Sequence, residues 1–237
     1  MTWSIIARDP ATGSFGIAVA TKFFAVGAVV PHIAAGLGAV ATQALVNPFY
    51  GTTGLRLLRE GRQADEVVRT IVAGDPGSDQ RQVHVMDAAG RIAAHTGAAC
   101  IHWCGDLVGK GCSLAGNMLA GPGVLAATAE RYAHVSALPF PRRLIAAMRA
   151  GEAAGGDKRG KQSAALIIYG EDEWPDLDLR VDDHPDPLAE LERLEQVSRE
   201  YYVHFRKILP CRRNPAGIND RRVIDAEIAK ARAAGNP

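Results

Sequence analysis

Two strand-like runs joined by a tight turn open the chain, and this pattern limits the fold more than any other feature. Thr2, Trp3, Ser4, Ile5 and Ile6 carry the β-branched and aromatic bias of a strand. Asp9-Pro10-Ala11-Thr12-Gly13 then supplies turn residues, and a second run follows over 14–22. The same grammar returns at 82–86, the turn Asp87-Ala88-Ala89-Gly90, and 91–96. Strands over 26–31, 38–45, 99–103, 111–117, 162–169 and 177–181 complete the set. Strands that come in hairpins pair antiparallel, which disfavours the parallel sheet of a Rossmann-type fold.

Helical spacing separates these groups of strands. A short helix over 54–60 precedes an amphipathic one marked by Ala64, Val67, Val68, Ile71 and Val72. Two more span 122–135 and 141–150, each with Pro near its start. Asp186 and Pro187 read as N-cap and first helical residue. From there Leu188, Leu191, Leu194, Tyr201, Tyr202 and Phe205 continue one apolar stripe, and a last helix spans 221–233. The fold expected is α+β, a four-layer αββα sandwich with two antiparallel sheets between helix layers. Residues 1–190 form its domain, and 191–237 form a helical extension on or beside it.

Composition narrows the function. With 237 residues, 47% hydrophobic and 22% charged, the chain can bury one sizeable core. A net charge of +1 gives no general attraction for nucleic acid or anionic membrane, so neither partner is expected. Arg206, Lys207, Arg212, Arg213, Arg221 and Arg222 make the tail locally basic without aromatic interleaving or a nucleic-acid motif. No apolar run is long enough to span a bilayer, and no basic segment precedes Trp3 as in a secretory leader. Four cysteines without a disulfide framework point to a reducing cytoplasm. His95, Cys100, His102, Cys104 and Cys112 match no paired-cysteine zinc spacing, so no metal is expected.

Thr2 is the residue with chemistry to offer. A hydroxyl is a poor nucleophile until a base takes its proton, and a Thr that begins the mature chain carries that base as its own α-amine. The amine titrates at about 7.7–8.0, so it is partly neutral near pH 7. Only Met1 must be removed, and small second residues permit that removal. The competing reading is a β-favouring residue at a terminus. Lys22 ends the second run, which a hairpin returns beside the first. Its cation would favour the neutral amine and stabilise developing negative charge, unless it is a solvated strand-end lysine.

Several stretches together resemble the bacterial family known as domain of unknown function 1028, placed in the N-terminal nucleophile (Ntn) hydrolase superfamily. They are residues 2–9 (TWSIIARD), 22–31 (KFFAVGAVVP), 38–44 (GAVATQA), 47–51 (NPFYG) and 95–97 (HTG). Further on they are 116–122 (GNMLAGP), 155–166 (GGDKRGKQSAAL) and 180–185 (RVDDHP). The resemblance implies an αββα fold and amide hydrolysis by a terminal nucleophile, with Thr2 in that role. Thr21 is a mild departure, since many relatives carry Ser before the lysine.

Such hydrolases need donors for a tetrahedral oxyanion. Gln43 and Asn47 lie near where one sheet would approach Thr2, and Asn117 ends a strand of the other. Each could equally bind loop backbone. His95 is a pocket residue or a structural histidine. Asp157 and Arg159, with Gln162 and Ser163, bind a substrate carboxylate or secure their loop. Asp182, Asp183 and His184 read as support for the helix start at Pro187.

The function expected is therefore an Ntn-type amidohydrolase of a small amide or peptide-like bond. It would act through an acyl-enzyme on Thr2, tuned by Lys22, with no cofactor. The alternative is a non-catalytic small-molecule-binding or scaffold protein with the same fold. A homodimer or higher homo-oligomer is expected from the stripe of Tyr201, Tyr202 and Phe205.

Overall fold

The structure is a computed structural model that describes residues 2–233. It is α+β, with two antiparallel sheets and seven helices among those residues. The larger sheet holds β1 (Thr2–Arg8), β2 (Phe15–Thr21), β7 (Trp103–Gly109), β8 (Cys112–Leu119), β9 (Ser163–Tyr169) and β10 (Leu177–Val181). Its order is β10-β9-β2-β1-β8-β7, which puts the first hairpin at the centre. The smaller sheet holds β3 (Pro31–Ala34), β4 (Gly38–Ala44), β5 (Arg81–Asp87) and β6 (Ile92–Thr96), in that order.

Alternation along each strand sorts side chains into three buried layers. Trp3, Ile5 and Leu114 point outward from the larger sheet and meet Leu125 and Met148. Those two belong to α3 (Gly123–His134) and α4 (Phe140–Ala153). Val40, Val83 and Val85 point outward from the smaller sheet onto Leu57, Val67 and Ile71. These lie on α1 (Pro48–Arg59) and α2 (Ala64–Ala73). Between the sheets Ile6, Ile17 and Val19 meet Ala39, Ala41 and Met86. The helix pair α3 and α4 approaches closely at Gly151, where a Cβ would lie 2.9 Å from Trp3 Nε1 and nearer still to Thr128 Oγ1.

At four places the local structure departs from what the sequence spacing predicts. The 26–31 stretch is a single 3-10 turn over Val26–Ala28, not a strand. Ala25 enters it at φ 53°, and Val26 N–H donates to Ser163 Oγ at 3.1 Å, so a tertiary contact outweighs β propensity. Residues 97–102 are a loop, with a turn closed by Cys100 N–H on Gly97 O and with His102 at φ 57°, and β7 begins only at Trp103. Helix α1 starts six residues before 54, because Asn47 caps it and Pro48 takes the first position.

The long C-terminal helix is two. Asp186 caps α5 (Pro187–Glu200), as its sequence predicts, and Leu188 and Leu191 join the outer core. Tyr201 then breaks the helix at φ −146°, and α6 spans Tyr202–Arg206. The break lets the Tyr201 and Phe205 rings stack with centroids 5.5 Å apart. The last element is α7 (Arg221–Ala233). The boundary drawn at residue 190 falls within α5.

Candidate functional site

The start of β1 lies at one end of the space between the sheets. Thr2 pairs with Thr21 on one side and Asn117 on the other. Residues opposite each other across strands share a face, and Thr2 Oγ1 donates to Thr21 Oγ1 at 3.1 Å. In the facing sheet Gln43, Gln82 and Thr96 form a second row in register. Two polar rows therefore confront each other, and Thr2, Thr21, Gln43, Gln82 and Asn117 are all buried.

The hydrogen bonds across this layer have one direction. Gln82 Nε2 lies 2.9 Å from Gly116 O, 3.1 Å from Gly105 O and 2.9 Å from Thr96 Oγ1. Carbonyls only accept, so this end of the amide must be the NH2 group. The carbonyls are within reach because the register of β7 against β8 shifts between Trp103 and Gly105. Gln82 Oε1 then accepts from Asn117 Nδ2 at 3.0 Å and from Gln43 Nε2 at 2.8 Å. That fixes the Gln43 amide in turn, and its Oε1 accepts from Ser4 Oγ at 2.8 Å.

The same logic assigns a tautomer. The Ser4 hydroxyl proton is spent on Gln43, so His84 Nε2, 2.8 Å away, must donate to Ser4 Oγ. His84 Nδ1 then accepts from Ser113 Oγ at 2.9 Å. The ring is fully buried, and burial pushes its pKa down to about 3. It is neutral at physiological pH, as a histidine that both donates and accepts must be.

This depression has a measurable consequence. An unfolded histidine binds its proton near pH 6.5, whereas folded His84 resists until about pH 3. The unfolded state thus holds more protons between those limits, and folding stability falls as pH drops through them. Urea titrations are expected to show about 2 kcal/mol less stability at pH 5 than at pH 7 from this group. His84→Gln is expected to flatten that part of the profile.

The other candidate residues fall in separate places. Lys22 is exposed, and its ammonium donates to Lys161 O at 3.3 Å. Its backbone N–H donates to Asp157 Oδ2 at 2.7 Å. Asp157 also accepts from Arg159 N at 2.8 Å and pairs with the Arg159 guanidinium at 3.2 Å. The carboxylate thus clamps the 155–161 loop onto the end of β2. Asn47 is spent on the start of α1, where its Oδ1 accepts from Phe49 N at 3.1 Å. Its amide donates to Asp75 at 3.0 Å and is the first cause holding that carboxyl below the ordinary range. His95 Nε2 lies 3.0 Å from Ser78 O, on the loop before β5.

Of the predicted residues, Thr2, Gln43 and Asn117 meet in the polar layer; Asp157 and Arg159 meet each other beside Lys22. Sequence reasoning passed over Ser4, Gln82, His84 and Ser113. Their signal was present: Thr2 and Ser4 alternate with Trp3 and Ile5, and Gln82 and His84 alternate with Val83 and Val85. When helices cover the apolar faces, the polar faces must meet inside.

His184 Nδ1 accepts from Asp186 N–H at 3.0 Å, and Asp182 pairs with Arg180 at 3.0 Å. Burial pushes the Cys112 thiol up to about 11 and raises Cys100, so neither is activated as a thiolate. Among the described residues, no three His, Cys, Asp or Glu side chains come together as metal ligands would. No helix among them is long and apolar enough to cross a membrane.

Two facing antiparallel sheets, helices over both outer faces and a buried polar layer at the chain's first strand define the class of protein. The chain belongs to the family of unknown function DUF1028, whose model matches residues 2–191. The crystal structure of protein SPO2555 from Silicibacter pomeroyi, a DUF1028 protein, is 35% identical. The alignment covers 92% of this chain and 99% of that one, with a TM-score of 0.86. A solved chain of Anbu (ancestral beta-subunit) from Yersinia bercovieri is 12% identical over 88% of this chain and 98% of its own, with a TM-score of 0.39. No curated protein matches.

Proposed function

We propose that the protein is an N-terminal nucleophile amidohydrolase with an αββα sandwich, in which Thr2 is the nucleophile. The observation that carries this reading is the position of Thr2. It is the first residue of a central strand, its hydroxyl is buried against Thr21, and Asn117 is its register partner. Fixed geometry of this kind is what covalent catalysis requires.

After removal of Met1, Thr2 Oγ attacks the carbonyl carbon of a small amide and its proton passes to the Thr2 α-amine. The C–N bond breaks, the leaving nitrogen takes that proton, and an ester on Thr2 remains. Water then attacks the ester, releasing the acid and restoring the hydroxyl. Asn117 contributes an oxyanion donor: one N–H of its amide is held by Gln82, and the other is left for the substrate. Lys22, on the rim directly after Thr21, adds positive field and needs no direct bond to Thr2. No step calls for a cofactor.

Retaining a residue ahead of Thr2 tests the amine directly. A chain carrying an uncleaved Met-Lys extension before Thr2 is expected to fold normally but to lose ester formation with an aliphatic β-lactone. Equal acylation of the extended and mature chains would contradict the mechanism. The rival reading, a non-catalytic binding protein, draws on the Lys22 ammonium being engaged by the Lys161 carbonyl. It predicts ligand binding by both chains and an ester on neither.

A further inference from the structure

Beside Asn117 the two sheets part around a cavity of about 240 Å3, lined by Leu45, Ala99, Cys100, Ile101 and Met118 among others. No carboxylate, ammonium or guanidinium is among its lining residues. Leu45 and Ile101 expose large apolar side chains at its rim, 57% each, although most aliphatic residues of this chain are buried. Ala44 and Met118 flank it at φ 70° and 55°, a left-handed backbone that side chains rarely adopt.

We propose that this cavity is the acyl pocket of the Thr2 site and takes a small, uncharged aliphatic acyl group. The inference rests on the reading of Thr2 as nucleophile, and it adds the class of substrate. Asn117 supplies the continuity, because it both lines the cavity and pairs with Thr2. The volume is below the roughly 300–1,000 Å3 of pockets that hold drug-sized ligands. At ~30 Å3 per water-sized group it holds roughly eight such groups, enough for an acyl chain of about four to six carbons. No lining side chain carries a charge that could pair with a carboxylate or ammonium on that chain, so a charged chain gains nothing over water there. An apolar chain, by contrast, covers the exposed Leu45 and Ile101 side chains. The acids released by the enzyme are accordingly short unbranched or branched alkanoates, not dicarboxylates or amino acids.

Methyl NMR of Leu45 and Ile101 tests the pocket apart from the chemistry. Butanamide is expected to shift both resonances saturably, in the wild-type chain and in Thr2→Ala alike. The charged analogue succinamate is expected to bind at least about tenfold more weakly. Leu45→Glu, which sets a carboxylate on the rim, and Ala99→Trp, which fills the cavity from an exposed position, should each weaken butanamide about tenfold or more. Succinamate binding as well as butanamide, or no shift at Leu45 and Ile101 with butanamide, would overturn the proposal. Saturable shifts without any ester on Thr2 would leave the pocket standing and refute the nucleophile instead.

Discussion

Replacing Gln82 with leucine is expected to destabilise the fold by about 3–5 kcal/mol, a large fraction of the roughly 5–15 kcal/mol available to a domain. The reason is the number of partners it satisfies. Its two Nε2 hydrogens are shared among the Gly105 and Gly116 carbonyls and Thr96 Oγ1, and its Oε1 accepts from Gln43 and Asn117. Leucine has nearly the same volume and fills the space, so the loss comes from buried groups left unpaired at about 1–3 kcal/mol each. Gln82→Glu should fare no better, since a carboxylate cannot donate to the two carbonyls. Urea unfolding monitored by circular dichroism reads the effect as a lower midpoint at unchanged slope. A loss below about 1 kcal/mol would mean that water substitutes freely in the layer, and the directed network would lose its significance.

The second large effect is on chemistry. Thr2→Ala is expected to lower the rate of enzyme acylation by an aliphatic β-lactone by at least about 10³-fold, because no other hydroxyl has an α-amine on the same residue. Alanine also permits removal of Met1, so processing is not altered together with the nucleophile. The cost to stability is modest, about 1 kcal/mol for the bond to Thr21. Thr2→Ser should retain the reaction, since Ser keeps both the hydroxyl and the amine. An alanine variant acylated as fast as wild type would place the reactive group elsewhere.

Much of this architecture is legible in the strands. The alternation of Thr2 and Ser4 with Trp3 and Ile5 marks a two-faced central strand, and the turns at Asp9 and Asp87 fix the antiparallel pairing that follows. The cap at Asp186 is equally local, since a side-chain oxygen and the following Pro decide it; the same pair at Asn47 and Pro48 goes unread when spacing alone places that helix from 54. What the sequence withholds depends on contacts far apart in the chain. The turn at Val26 is set by Ser163, more than a hundred residues away, and the role of Gln82 depends on a register shift between β7 and β8 beside the Gly105 and Gly116 carbonyls. Asp157 and Arg159 show the same limit: their motif leaves open whether the loop binds a substrate carboxylate or is secured by its own side chains, and only the fold brings the end of β2 under the Asp157 carboxylate. Polarity in a strand tells that a face is wet or networked, but the partner across the sheets decides which.

The measurement that bears most directly on Thr2 is the mass of the N-terminal peptide from a tagless chain expressed in a bacterium. The chain would be incubated with an aliphatic β-lactone and quenched in acid. Attack by Thr2 Oγ on the lactone carbonyl opens the ring, forms an ester and leaves the whole lactone mass on the peptide. The mechanism predicts a peptide that begins at Thr2, carries one adduct, and loses it to hydroxylamine as an ester must. An unmodified peptide, or a chain that keeps Met1 and is still acylated, would contradict it.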